Sequence, residues 1–159
     1  MRIVSLITAV SAMTAFTSFN APAQPAASQN TAPKLTSAIV KQLGFNGVNF
    51  SACGAQKWKL RNGVVVYSTY PYGKAIRGFT GSTPLFIAVN GKGKIVAMAA
   101  APNDETPEYF IKAKTLLKAW NGKTLKQAET HTPDVITGAT FSSKAIIGTV
   151  HAAAAKLTD

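Results

Sequence analysis

The chain has 159 residues, 47% hydrophobic and 14% charged, which is enough for one compact core and too little for two large domains. Seventeen basic residues against six acidic ones give a formal net charge of +11. A surface of this sign steers acidic proteins or anionic surfaces toward the molecule, or simply keeps it soluble. The cations are scattered (Lys57, Lys59, Arg61; Lys92, Lys94; Lys112, Lys114, Lys118) and no nucleic-acid module is legible, so nucleic acid is not an expected partner.

Arg2 opens the chain with a short positive region, Ile3 to about Ala15 is apolar but diluted by Ser and Thr, and Ala21-Pro22-Ala23 supplies a small-x-small cleavage site. Residues 1–23 are therefore expected to be a signal peptide, with the mature protein exported to the periplasm or cell envelope. The stretch is too short and too interrupted to span about 30 Å of hydrocarbon. Residues 24–35 lack aromatic side chains and read as a flexible linker. The folded domain is expected over 36–159, about 120 residues, an ordinary single-domain size.

Leu35, Ile39, Val40 and Leu43 repeat at helical spacing and Gly44 follows, which predicts a short helix over 36–43. Cys53 is the only cysteine, so no intramolecular disulfide exists, and it is expected to be a buried small hydrophobe. Residues 56–60 and 63–69 read as strands paired through Asn62-Gly63, the strongest short hairpin signal. After the Gly-rich turn 78–84, two apolar runs, 85–89 and 95–98, flank Asn90-Gly91-Lys92-Gly93. They predict a second hairpin in the middle of a sheet covered by helices.

Thr106-Pro107 has the order of an N-cap and first helical residue, with Glu108 in the first turn. Phe110, Ala113, Leu117 and Trp120 then share a face, and Asn121-Gly122 ends the helix. Trp120 reads as core packing in preference to a stacking platform for a ligand. Ile146, Val150, Ala153 and Leu157 mark a last helix from about Ser142 to Leu157. Strands come first and helices flank them without βαβ alternation, so the expected fold is α+β, a central antiparallel sheet flanked by helices. His131 and His151 are far apart and no Cys/His cluster has ligand spacing, so no metal is expected, and no nucleophile–base pair marks a catalytic centre.

Asp134-Val135-Ile136-Thr137-Gly138-Ala139-Thr140 leads a hydroxyl to the mouth of that last helix, where outward N–H groups welcome a phosphate. Thr140 or Ser142 also reads as an ordinary helix cap, worth about 1 kcal/mol. The seven residues resemble the flavinylation motif of the FMN-binding domain family. That family includes a flavin-bearing component of the sodium-translocating NADH:quinone reductase and its counterpart in ion-translocating ferredoxin oxidoreductases. Gly78-Phe79-Thr80-Gly81 resembles the family's Gly-aromatic-x-Gly entry into its central sheet, and Glu105-Thr106-Pro107 its Glu-Thr-Pro. Where members often continue Gly-Leu-Gly, this chain has Glu108-Tyr109-Phe110, leaving Tyr109 either to cover a flavin ring or to leave it exposed.

The resemblance implies covalent FMN, esterified through its phosphate to Thr140. It also implies a cofactor site drawing on Asp134, Thr137, Gly138, Ala139, Ser142, Ser143, Glu105 and Thr106. A separate FAD-dependent flavin transferase would attach the group. The protein would be an electron carrier more than a stand-alone oxidoreductase, working between a membrane-bound electron-transfer complex and an extracytoplasmic acceptor or reductase. The alternative is a flavin-bearing reductase subunit acting directly on a small substrate. Glu105 stands either for a pocket residue or for a plain helix-start carboxylate.

Overall fold

The computed structural model describes residues 31–158. The expected signal peptide over 1–23, and the expected linker as far as residue 30, lie outside the described residues. The Thr36 hydroxyl accepts a hydrogen bond from the Ile39 N–H (3.3 Å) and starts helix α1, Ser37–Gln42. Ile39 and Val40 point inward, and Gly44, at φ +86°, turns the chain away as a left-handed residue must.

Five strands follow: β1 Phe50–Gly54, β2 Lys57–Leu60, β3 Val65–Ser68, β4 Leu85–Val89 and β5 Ile95–Ala100. They lie side by side in sequence order and every neighbouring pair is antiparallel. The expected Asn-Gly turn joins β2 to β3. Gly63 takes φ +82° and Asn62 Oδ1 accepts from the Val64 N–H at 3.2 Å. The sheet is clad on both faces. Phe86 and Ala88 of β4 pack with Leu60, Val66 and the apolar side of α1, while Leu85, Ile87 and Val89 pack with the helices that follow β5. Every residue of β4 is consequently buried, which explains its unbroken apolar sequence.

Two features of the sheet differ from the sequence expectation. β5 is an edge strand, and its outer rim is closed by the chain itself: the Ile95 N–H donates to Lys123 O (2.8 Å) and the Gly122 N–H to Ile95 O (2.8 Å). β1 occupies the opposite edge and was not predicted, its Phe-Ser-Ala-Cys-Gly run being mostly exposed and weakly patterned. Cys53 is exposed, not buried. A register shift between Ala52 and Gly54 falls on this residue, at a rim that no other element among the described residues covers.

Helix α2, Tyr70–Gly73, is a single turn pressed against the last helix, so close that a Cβ on Gly73 would lie 2.7 Å from Thr149 Cγ2. The segment read as one helix over 107–120 is α3, Pro107–Ala113, followed by a 3-10 stretch, Lys114–Trp120. The tighter winding stacks Leu117 and Trp120, three residues apart, on one inward face. Trp120 is fully buried and belongs to the core, as expected. A capping box between Thr124 and Gln127 opens the short α4, Leu125–Ala128. The chain then runs without regular structure to α5, Thr140–Leu157, whose Ile146, Val150 and Ala153 are wholly buried against the sheet. Truncating Ile146 to Ala there would cost about 2–5 kcal/mol. The architecture is α+β, a five-stranded antiparallel sheet between α1 on one face and α3–α5 on the other.

Candidate functional site

Three stretches far apart in sequence meet at the end of the sheet where β4 begins and β5 ends. The first is the turn Gly78–Gly81, closed by a hydrogen bond from the Gly78 N–H to Gly81 O (2.8 Å). The second is the loop leaving β5, which carries Asp104 and Glu105. The third is the first turn of α5. They meet on one carboxylate. Glu105 Oε1 accepts from the Thr80 N–H (3.1 Å) and the Gly81 N–H (3.2 Å), and Oε2 accepts from the Phe79 N–H (3.2 Å) and the Ser142 hydroxyl (2.5 Å). The Thr80 hydroxyl donates to Asp104 O and fastens the same turn.

Glu105 is only 5% exposed, and a buried carboxylate needs such company. Burial pushes its carboxyl pKa up, but the hydrogen bonds from Ser142 and from the Thr80, Gly81 and Phe79 amides outweigh that and hold it below the ordinary 4.5. Gly78 has to be glycine for a steric reason, because a Cβ there would sit 2.5 Å from Glu105 Oε1. The carboxylate thus clamps the turn to α5. Its oxygens are engaged by four protein donors.

The stretch 134–140 ends in a turn in which the Ala139 N–H donates to Ile136 O (2.9 Å) and Gly138 takes φ +77°. A residue with a Cβ strains that conformation. Ser143 braces the turn from behind, its buried hydroxyl accepting from the Ile136 N–H (3.2 Å). The Ser143 N–H donates to Ala139 O (2.9 Å) inside the helix. The N–H groups that open α5 outward are therefore those of Thr140, Phe141 and Ser142. Ala139, at the N-cap, offers no side-chain cap. Thr140, the first residue of α5, is exposed.

A cleft of about 400 Å³ is lined by Phe79, Tyr109, Phe141, Ser142 and residues 138–140. Phe79 and Phe141 are 63% and 66% exposed, and their ring centroids stand 6.2 Å apart at 49°. Two bare phenyl rings side by side in water are costly unless something covers them. Lys112 reaches the same place from α3: its ammonium would lie 4.0 Å from a Cβ on Gly138. A larger groove of about 770 Å³ runs between α1 and the loop after β5, but no residue of 134–140 lines it.

Among the sequence-predicted residues, Gly138, Ala139, Thr140 and Ser142 line this cleft, with the Ser142 hydroxyl turned to Glu105. Thr137 lies in the turn and Asp134 is exposed upstream of it; neither lines the cleft. Ser143 and Glu105 support it from within. Thr106 is the N-cap of α3, although its hydroxyl makes no capping hydrogen bond. Tyr109 stands at the cleft wall. Sequence reasoning did not assign the rings of Phe79 and Phe141, or Lys112, to the site. Phe141 was detectable, since an aromatic residue outside the 146–150–153 stripe is placed toward solvent.

An exposed threonine at the positive end of an 18-residue helix, beside an aromatic cleft, is an arrangement suited to a phosphorylated ring ligand. Residues 78–155 match the model of the FMN-binding domain, and over that stretch the chain belongs to this family. It is a flavin-binding protein with FMN as its cofactor. Among curated proteins and among solved structures, nothing matches the chain.

Proposed function

We propose that FMN is carried covalently, through a phosphodiester to the Thr140 hydroxyl. The protein then passes electrons outside the cytoplasm between a membrane-bound redox complex and an acceptor or reductase. The observation that carries this reading is the exposed Thr140 at the first turn of α5, a residue that lines an aromatic cleft. The residues present suit FMN. The cleft volume falls within the range of about 300–1,000 Å³ usual for small-molecule sites, and its lining is apolar with few polar groups.

In the attachment step, the Thr140 oxygen bonds to the phosphorus on the flavin side of FAD. The bond from that phosphorus to the bridging oxygen breaks, AMP leaves with the electron pair, and the hydroxyl proton passes to water. A separate flavin transferase performs this step. The N–H groups of Thr140, Phe141 and Ser142 would receive the remaining phosphate charge, an interaction worth about 0.3–1 kcal/mol for one anionic group at an exposed helix N-terminus, and the Lys112 ammonium would add to it. These terms orient the group; the covalent bond retains it. Phe79, Phe141 and Tyr109, which line the cleft, would hold the ring. Bound FMN supplies one- and two-electron transfer.

The openness of the cleft also favours the second reading, a reductase subunit whose small substrate reaches the ring directly. Both require the same modification. Co-production with a flavin transferase should give yellow protein heavier by one FMN less a water, and Thr140→Ala should remain colourless and unmodified. Wild-type protein left unmodified by an active transferase would refute the reading. Modification that persists in Thr140→Ala would place the attachment elsewhere.

A further inference from the structure

All six carboxylate side chains lie at or after Asp104. The segment 31–103, which forms α1, α2 and all five strands, therefore carries basic side chains and no acidic one. The two ends of the sheet differ in consequence. The cleft end carries Asp104, Glu105, Glu108 and Asp134, and with them the exposed large apolar side chains Tyr72, Phe79, Tyr109, Ile111, Val135 and Phe141.

The other end is made of two hairpin turns and the strap that closes β5. Register places them together: β2 ends at Leu60 where β1 begins, and Val65 at the start of β3 pairs with Val89 at the end of β4, which pairs with Ile95. This brings Arg61 of the first turn, Lys92 and Lys94 of the second, and Lys123 of the strap to one rim. Lys94 is tied to the strap through a bridge to Thr124 and by its ammonium donating to Gly122 O (3.0 Å). Arg61, Lys92 and Lys94 are exposed and Lys123 is half-buried, with Lys59 exposed just behind. Glu129, the next acidic residue along the chain after Lys123, is paired with Lys126 at 2.9 Å.

We infer that this hairpin rim binds an anionic phospholipid surface and so turns the cleft end away from the membrane. Lipid is favoured over an acidic protein by what the rim lacks. Protein interfaces are anchored by aromatic and other apolar residues and are depleted in Lys. Every exposed large apolar side chain of the described residues lies at the opposite end, and the rim offers Lys and Arg on Gly- and Asn-containing turns. Diffuse attraction to a charged bilayer needs no more, each cation near the surface adding to it. At about 3.3 Å per residue, β4 separates the two ends by roughly 15 Å, so the rim can rest on headgroups while the cleft stays open to a partner from the aqueous side. Only that last consequence rests on the flavin reading; the lipid contact does not.

The test is co-sedimentation of the purified protein with vesicles of phosphatidylcholine alone or of phosphatidylcholine and phosphatidylglycerol in equal parts, at low and high salt. Binding is expected only to the anionic vesicles and only at low salt. Arg61→Gln, Lys92→Gln and Lys123→Gln should each weaken it roughly fivefold, and all three together by about two orders of magnitude. With the lower salt set at about 0.1 M, Lys74→Gln with Lys144→Gln, at the other end, should change it by less than about twofold, because attraction then fades within a Debye length of about 10 Å, shorter than the separation of the ends. Colourless Thr140→Ala protein should bind as wild type does, which separates this inference from the flavin reading.

Equal binding to neutral vesicles, or equal losses from the Lys74/Lys144 pair, would overturn it. So would capture of soluble polyglutamate through the rim residues with no binding to anionic vesicles. Orientation is read with a fluorophore on the native Cys53, against one on Asn62→Cys in a Cys53→Ser background. Headgroup spin labels should quench the Asn62 position more, and the reverse order would also refute the inference.

Discussion

Replacing Glu105 with Gln keeps the side chain's size and removes its charge, which isolates what the carboxylate does. In the native site two oxygens receive four donors: three backbone N–H groups and the Ser142 hydroxyl. A Gln amide presents one oxygen and one NH2. Its best placement puts the oxygen where Oε1 now serves Thr80 and Gly81, and the NH2 opposite the Phe79 N–H, with Ser142 rotated to accept. One buried donor then has no acceptor, at about 1–3 kcal/mol, and the remaining bonds are no longer charge-assisted. The expected loss is about 2–4 kcal/mol, read as a lower urea midpoint with an unchanged denaturant slope.

The pH dependence gives a second readout. The folded pKa of Glu105 lies below its ordinary 4.5, so its stabilisation is complete above the unfolded pKa and fades as pH falls through the folded one. The gap between wild type and Glu105→Gln should be widest near neutrality and shrink on acidification below that value. A loss under about 0.5 kcal/mol, the level of an ordinary surface change, or a gap that stays constant into acid, would refute the clamp.

The other expectations concern the same corner of the molecule. Gly78→Ala, whose Cβ would meet Glu105 Oε1 at 2.5 Å, should destabilise by about 1–3 kcal/mol, as overpacking does, and thermal unfolding reads it. Asp134→Ala should leave the unfolding midpoint unchanged, since Asp134 is exposed, yet slow flavin attachment in a timed mass assay if, under the proposed function, the residue serves recognition by the modifying enzyme; attachment at the wild-type rate would refute that role. Phe79→Ala and Phe141→Ala remove rings already 63% and 66% exposed, so stability should move by no more than about 0.5 kcal/mol, while the visible spectrum and fluorescence of the attached flavin shift toward those of a ring in water.

Much of the fold was written locally. Thr36 caps α1, Asn62-Gly63 turns one hairpin, Asn90 to Gly93 turns the next, and Thr106-Pro107 starts α3; each depends on a few adjacent residues whose backbone preferences act over one turn. β1, α2 and the 3-10 winding were not legible, because nothing in Phe-Ser-Ala-Cys-Gly or Tyr-Pro-Tyr-Gly demands a strand or a helix apart from the neighbours they pack on. α4 was legible in principle, since Thr124 and Gln127 have the spacing of a capping box. Cys53 was misplaced because its burial depends on whether another element covers the β1 rim, and among the described residues none does.

The site divides in the same way. Motif and period alone placed Thr140 after a glycine and just before a helix expected from about Ser142, because Gly138 and the apolar repeat act within the segment; the structure starts that helix at Thr140 itself. Tertiary structure alone decided that Glu105 holds Gly78–Gly81 against Ser142, and that Phe79 and Phe141, 62 positions apart in the chain, share one cleft. A buried charge finds its donors wherever the folded chain brings amides together, and no local pattern records that meeting.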